Sequence, residues 1–178
     1  VQEFKEGEKD VVKVYVAKKA GEAVGYAVET FTKNGFGGRI DLMVGFDAKG
    51  VICDFSVLKH GETPGLGAKM DEWFHADSKG GNIQNMKGVD MAAENGTLVV
   101  AKDGGKVDAI TASTITSRAF LDAVNRAYKY YLEAAGSAPA GAEATDASAA
   151  VPQDEASTAA ETPSTEDNAA PAEKGDNK

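Results

Sequence analysis

Every leucine, isoleucine, phenylalanine, methionine, tryptophan and tyrosine of this chain lies before Gly136. From Gly136 to Lys178 the sequence is mostly Ala, Pro, Ser, Thr, Glu and Asp, and it holds four of the five prolines, Pro139, Pro152, Pro163 and Pro171. Ordering a residue costs roughly 1–2 kcal/mol, and a segment without large apolar side chains has nothing to offset that. Residues 136–178 are therefore expected to be a disordered acidic tail, and any packed core is confined to residues 1–135. One domain fits in that length.

The tail also carries most of the charge. It has nine acids against Lys174 and Lys178, so only about −2 of the formal −9 remains for the folded part. No basic stripe exists to displace counterions from a phosphate backbone, which excludes nucleic acid as a partner. No run of 18 apolar residues is present. The chain opens on Val1 rather than methionine, and the expectation is a mature or trimmed form once preceded by a signal peptide or anchor helix. The single cysteine, Cys53, excludes an internal disulfide. In "GVICDFSVL", alternation places Val51, Cys53, Phe55 and Val57 on one strand face, so Cys53 is expected to be buried and inert.

Within residues 1–135, "VVKVYVA" (11–17), "EAVGYAVET" (22–30), "GRIDLMVGF" (38–46) and "VICDFSVL" (51–58) read as strands. Asp47-Ala48-Lys49-Gly50 is a hairpin connection. "TLVVAK" (97–102) and "KVDAI" (106–110) flank Asp103-Gly104-Gly105 and read as a further hairpin. "MDEWFHADS" (70–78) reads as a short helix. From Ile115, the residues Phe120, Val124, Ala127, Tyr128, Tyr131 and Leu132 recur at helical spacing, and Gly136 is a stop. The expected class is α+β: antiparallel sheet packed by a short helix and a long C-terminal helix.

Just before that last helix, Thr111, Ser113, Thr114, Thr116 and Ser117 crowd into seven positions. A helix start leaves about four backbone N–H groups unpaired and carries roughly half a positive charge. One hydroxyl suffices to cap it. Two readings stand: one hydroxyl caps while the others favour the flanking strand, or an anion, above all a phosphate, is seated on the N–H groups with hydroxyls as added donors. A second stretch, "KHGETPGLGAKM" (59–70), sets three glycines and Pro64 in a loop after a strand, either as a plain connector to the next helix or as a place where a backbone can approach a flat ligand closely. His60 and Glu62 lack a third ligand of suitable spacing, and no metal is expected.

Together, "ETPGLGAK" and "DAITASTITS" resemble the paired signatures of the FMN-binding domain in the G subunit of Rnf electron-transport complexes, related to the C subunit of the Na⁺-translocating NADH:quinone oxidoreductase. The resemblance covers about residues 20–135, "GFGGRI" included. It implies FMN esterified through its phosphate to a threonine by a flavin transferase, in the pattern Asp-Gly/Ala-x-Ser/Thr-Gly-Ala-Thr. Asp108, Ala109, Thr111 and Thr114 match, with Asp108 and Thr111 as transferase recognition and Thr114 as acceptor. This chain has Ala112 where glycine is usual and Ser113 where alanine is usual. The implied cofactor contacts are Ser113, Thr114, Ile115, Thr116 and Ser117 about the phosphate, and Glu62, Thr63, Leu66 and Gly67 lining the ring. Phe36 is a candidate to stack on the ring, with a core position as its alternative, and Lys69 a candidate to favour reduced flavin. Trp73 and Phe74 read as core or rim. The implied function is an electron relay in an Rnf-type ion-translocating ferredoxin:NAD oxidoreductase, held at the inner membrane by an N-terminal anchor absent from this chain. The domain would lie on the periplasmic side, with neighbouring subunits as partners. The alternatives are the same module in another exported reductase or the sodium-pumping relative, and a non-redox domain that binds a phosphorylated ligand.

Overall fold

The structure, a computed structural model, describes residues 1–7 and 10–136. The expected acidic tail lies, from residue 137 onward, outside the described residues.

Five strands form one antiparallel sheet in chain order: β1 (Gln2–Lys5), β2 (Val11–Lys19), β3 (Glu22–Gly35), β4 (Gly38–Asp47) and β5 (Ile52–Lys59). The period-2 pattern explains why the sheet has one wet face. Val12 and Val14 of β2, Val28 and Thr30 of β3, and Ile40, Leu42, Val44 and Phe46 of β4 are buried. Between them Lys13, Tyr15, Glu29, Asp41 and Met43 keep some exposure. Register follows the same logic, with Val28 opposite Val44 and Thr30 opposite Leu42. The first strand, four residues with little apolar content, gave no signal in the sequence.

A short helix, α1 (Met70–His75), and a long one, α2 (Thr114–Ala135), complete the regular elements. The α2 helix lies on β3, with β2 and β4 beside it. Ala119, Ala123 and Ala127 recur every four residues and are fully or almost fully buried, so the helix backbone approaches the sheet closely. Phe120 stacks on Phe74 of α1 at 4.2 Å and meets Phe55 of β5 edge-on at 5.0 Å. The helix ends at Gly136, whose φ of 71° lets its N–H reach the Leu132 and Glu133 carbonyls.

Three expectations need correction. The stretches 97–102 and 106–110 are not hairpin strands. Val100 and Val107 form an isolated parallel bridge, and Ala101–Asp103 is a tight helical turn. Segment 76–113 packs instead through Met86, Met91, Leu98, Val100, Val107 and Ile110, all buried, and through the Asn125 amide, which pairs with both backbone groups of Leu98. The helix expected over 70–78 stops at His75, with extended backbone at Ala76. Cys53 is exposed, not buried. Phe46 pairs with Ile52 while Gly45 pairs with Asp54, so Cys53 is the extra residue of a bulge and the inward set becomes Ile52 and Phe55.

His75 joins α1 to β5. Its ring stacks on Phe55 at 4.0 Å, Nε2 lies 2.9 Å from Asp54 Oδ1, and Nδ1 lies 2.7 Å from the Asp71 carbonyl. Burial opposes the imidazolium, but the Asp54 and Asp71 bonds outweigh it and raise the His75 pKa above 6.5. The His75 bond, joined by the Phe55 N–H, lowers that of Asp54 below 3.8. The pair therefore stabilises the fold fully below the unfolded histidine pKa, and loses that contribution as pH rises through the raised folded value. Thermal melts of the wild type between about pH 5.5 and pH 8.5 should show this loss, and His75→Gln should flatten it.

Candidate functional site

The site forms where three remote segments meet: the β3–β4 turn, the loop after β5, and the first turn of α2. Their junction is Glu62, only 4% exposed. Its Oε1 accepts the Gly37 N–H at 2.8 Å, and its Oε2 accepts the Thr116 hydroxyl in a short bond. The Glu62 N–H donates to His60 Nδ1 at 3.1 Å, giving that histidine a local structural task. Backbones crowd this carboxylate. A Cβ at Gly67 would lie 2.4 Å from Thr116 Oγ1 and 2.7 Å from Glu62 Oε2, and one at Gly37 would strike the Gly61 carbonyl at 1.9 Å. The glycines thus allow a close approach of loop, turn and helix.

Beside Glu62 opens a cleft of about 340 Å³, lined by Phe36, Glu62, Thr63, Leu66, Gly67 and residues 112–116. The structure therefore gathers Phe36, Glu62, Thr63, Leu66, Gly67, Ser113, Thr114, Ile115 and Thr116 around one opening. Phe36 is 70% exposed, which removes its core alternative, and Leu66 and Ile115 are exposed too. Phe74 is core, while Trp73 is half-buried and donates from Nε1 to the Asp108 carbonyl at 3.0 Å. Lys69 and Trp73 line a separate cleft together with Asp108.

The five hydroxyls divide by task. Ser117 is fully buried, accepts the Ile110 N–H at 2.9 Å and donates to the Ser113 carbonyl at 3.0 Å, so it pins the turn and is not part of the cleft wall. Thr116 is committed to Glu62. Thr111 is exposed on the approach to the helix. Asp108 lies outside the cleft, where its carboxylate accepts from the Asn82 amide at 2.7 Å and the Ser78 hydroxyl at 3.5 Å. Ser113 occupies the cap position of α2, yet no side chain caps the helix.

What remains at the helix mouth is a set of donors. The first backbone bond of α2 runs from the Ser117 N–H to the Ser113 carbonyl. The N–H groups of Thr114, Ile115 and Thr116 have no partner among the described residues. Lys102, on the turn Ala101–Asp103, donates to Thr114 Oγ1 at 3.3 Å. No sequence pattern pointed to Lys102, because only the folding of segment 97–107 brings it to the helix. Three free N–H groups, a lysine and small hydroxyls suit an anion, and Phe36, Leu66 and Ile115 supply an apolar rim for a flat ring. The residues present fit a flavin mononucleotide. Among the described residues no group of side chains could hold a metal.

An uncapped helix start beside an apolar slot suits a phosphorylated, ring-bearing ligand. The profile of the FMN-binding domain family matches residues 35–129, more than half of the chain, and the chain belongs to that family. It is 40% identical over 118 residues to the G subunit of the ion-translocating oxidoreductase complex of Shewanella loihica, covering 66% of this chain and 53% of the relative. The corresponding G subunit of Aliivibrio fischeri is 36% identical over 129 residues, with 70% and 58% covered. The G subunit of the Na(+)-translocating ferredoxin:NAD(+) oxidoreductase complex of Acetobacterium woodii is 35% identical over 123 residues, with 68% and 56% covered. The chain spans about half the length of the curated relatives it matches.

The backbone shows why glycine suits the position that Ala112 holds here. Its φ is +60°, the left-handed region that glycine enters freely and alanine does not. Ala112→Gly should therefore stabilise the domain by about 1 kcal/mol, seen as a melting temperature several degrees higher. Thr116→Val should act oppositely. It leaves Glu62 Oε2 buried without its donor, a cost of about 1–3 kcal/mol in denaturant unfolding.

Proposed function

We propose that this chain is the flavin-carrying domain of an Rnf-type ion-translocating complex subunit, with FMN joined by a phosphoester to Thr114. The observation that carries the reading is the coincidence of Thr114 Oγ1 with the uncapped start of α2 and with the cleft beside Glu62. The names of the relatives and the FMN-binding family support it.

The residues divide the work as follows. Thr114 presents the acceptor oxygen at the first position of α2. The N–H groups of Thr114, Ile115 and Thr116, at the positive end of the helix dipole, hold the phosphate oxygens, an effect of about 0.3–2 kcal/mol. Ser113, which lines the cleft, adds a hydroxyl donor. Phe36, Leu66 and Ile115 bound the ring, with Gly67 and Thr63 at its side. Glu62 fixes the distance between the two walls. Bound flavin supplies one- and two-electron redox chemistry. The chain itself then acts as a relay to neighbouring subunits and has no diffusible substrate of its own. Asp108 and Thr111, outside the cleft, are proposed as transferase recognition.

On this reading the domain sits on the extracytoplasmic side of the inner membrane, attached by a segment outside this chain. Among the described residues no helix is long and apolar enough to cross a membrane. A non-covalent site of Kd ~1 μM gives about −8 kcal/mol and empties where free FMN is scarcer than that. A tether replaces that dependence with an effective concentration of order millimolar.

The test is an intact mass. Expressed with a flavin transferase in an exported context and then denatured, the domain should gain about 438 Da, FMN less water. Thr114→Val should gain nothing, and Thr114→Ser should keep part of the label. An unshifted wild type would favour a phosphoryl-ligand domain without redox chemistry, and full labelling of the Val variant would move the acceptor elsewhere.

A further inference from the structure

We infer that Lys102 is the charge-bearing partner of the Thr114 oxygen: its ammonium orients the hydroxyl before esterification and pairs with the phosphodiester afterwards. This rests on the Thr114 reading above and adds a residue that neither the motif nor the hydroxyl cluster contains.

The geometry is built from one contact to Thr114 and from the bonds that fix the turn carrying Lys102. Lys102 Nζ lies 3.3 Å from Thr114 Oγ1, with the nitrogen as donor, so the hydroxyl keeps its own hydrogen free for a base. The turn that carries Lys102 is fixed from both sides. The Ala101 N–H bonds the Val107 carbonyl at 2.8 Å, the Gly105 N–H bonds Val100 at 3.1 Å, and Val107 bonds back to Val99 at 3.1 Å. Arg118, one turn into α2, grips Asp103 with two bonds of 2.6 and 2.7 Å. That fork locks the turn to the helix, and it also engages the acid next to Lys102. Asp103 is held below its ordinary pKa by Arg118, so it remains ionised and paired. Lys102 itself has no carboxylate partner among the described residues.

An ammonium without a carboxylate, hydrogen-bonded to one hydroxyl at the mouth of a helix, is placed for charge that develops on that oxygen. In the transfer, Thr114 Oγ1 attacks the flavin-bearing phosphorus of a phosphoanhydride donor. The new O–P bond replaces the bond from that phosphorus to the bridging oxygen. The second phosphoryl group leaves with the bridging oxygen, and the hydroxyl proton passes to a base of the transferase. No electron is gained or lost. Negative charge grows on the oxygens around phosphorus, within reach of Lys102. The product diester keeps one negative charge, which the same ammonium neutralises.

The experiment uses the wild-type chain, Lys102→Gln and Lys102→Arg, each mixed with flavin transferase and flavin adenine dinucleotide as the anhydride donor. Initial labelling rates are read by intact mass, and thermal melts establish that all three are folded. Wild type and Lys102→Arg should label at comparable rates, and Lys102→Gln about five-fold more slowly. A second reading uses an amine acylating reagent and peptide mass. Lys102 should lose reactivity several-fold on loading, while Lys18, at the far end of β2, should not. Equal rates for all three chains overturn the inference while leaving the Thr114 ester intact. Unchanged Lys102 reactivity overturns it as well, since the slow Gln variant would then report a contact with the transferase alone. A wild type that takes no label overturns the Thr114 reading and this inference with it.

Discussion

The site depends on a buried carboxylate. Glu62 reaches the Gly37 N–H on one side and the Thr116 hydroxyl on the other, and so joins a strand turn, a loop and a helix start that lie far apart in the chain. A carboxylate this deep is costly unless its oxygens are matched, and removing one partner leaves more unsatisfied than the bond itself contributed. Its partners are therefore fixed as firmly as it is. Gly37 and Gly67 make the same demand sterically, since any side chain there would occupy the space of the Gly61 carbonyl or the carboxylate. Cleft width is set by this junction, whose members Glu62, Gly67 and Thr116 also line the opening.

The first turn of α2 is stable without a cap because its burden is carried elsewhere. Ser117 holds the Ile110 and Ser113 backbone from inside, and Arg118 clamps the neighbouring turn through Asp103. Those bonds let the outer N–H groups stay free. An alanine at φ +60° and an uncapped helix start adjoin one opening, and such local strain is tolerated where surrounding structure over-determines the backbone. The hydroxyl cluster thus divides: Thr116 and Ser117 are bonded within the fold, Ser113 and Thr114 line the cleft, and Thr111 is exposed outside it.

Period and turn chemistry carried most of the fold in the sequence. Alternation in 11–17, 22–30 and 38–46 located three strands, and the spacing from Phe120 to Leu132 located α2, because each pattern is local and repeats. The loop at 59–70 and the cluster at 108–117 placed most of the cleft-lining residues on the two opposing walls. Legibility failed where one residue changes the count or where partners are remote. Cys53 reads as inward by alternation, and a single bulge turns it out. Residues 97–110 read as a hairpin, but their backbone groups pair as a bridge and a tight turn, with the Asn125 amide closing the gap. The Lys102–Thr114 and Arg118–Asp103 contacts arise only through that turn.

The shape of the cleft suits the proposed tether. An enclosed pocket holds a cofactor by burying its surface, but enclosure also keeps electron partners at a distance. Here the rim residues Phe36, Leu66 and Ile115 are themselves exposed, so a ring lying among them would present an edge to solvent or to a neighbouring subunit. Such a shallow seat removes less apolar area from water, and area is the main source of ligand affinity. The proposed phosphoester at Thr114 would separate the two requirements: retention would pass to one bond at the helix mouth, and the ring would be left accessible for transfer. On that proposal the Glu62 junction would have one remaining task, to keep the cleft at a constant distance from Thr114.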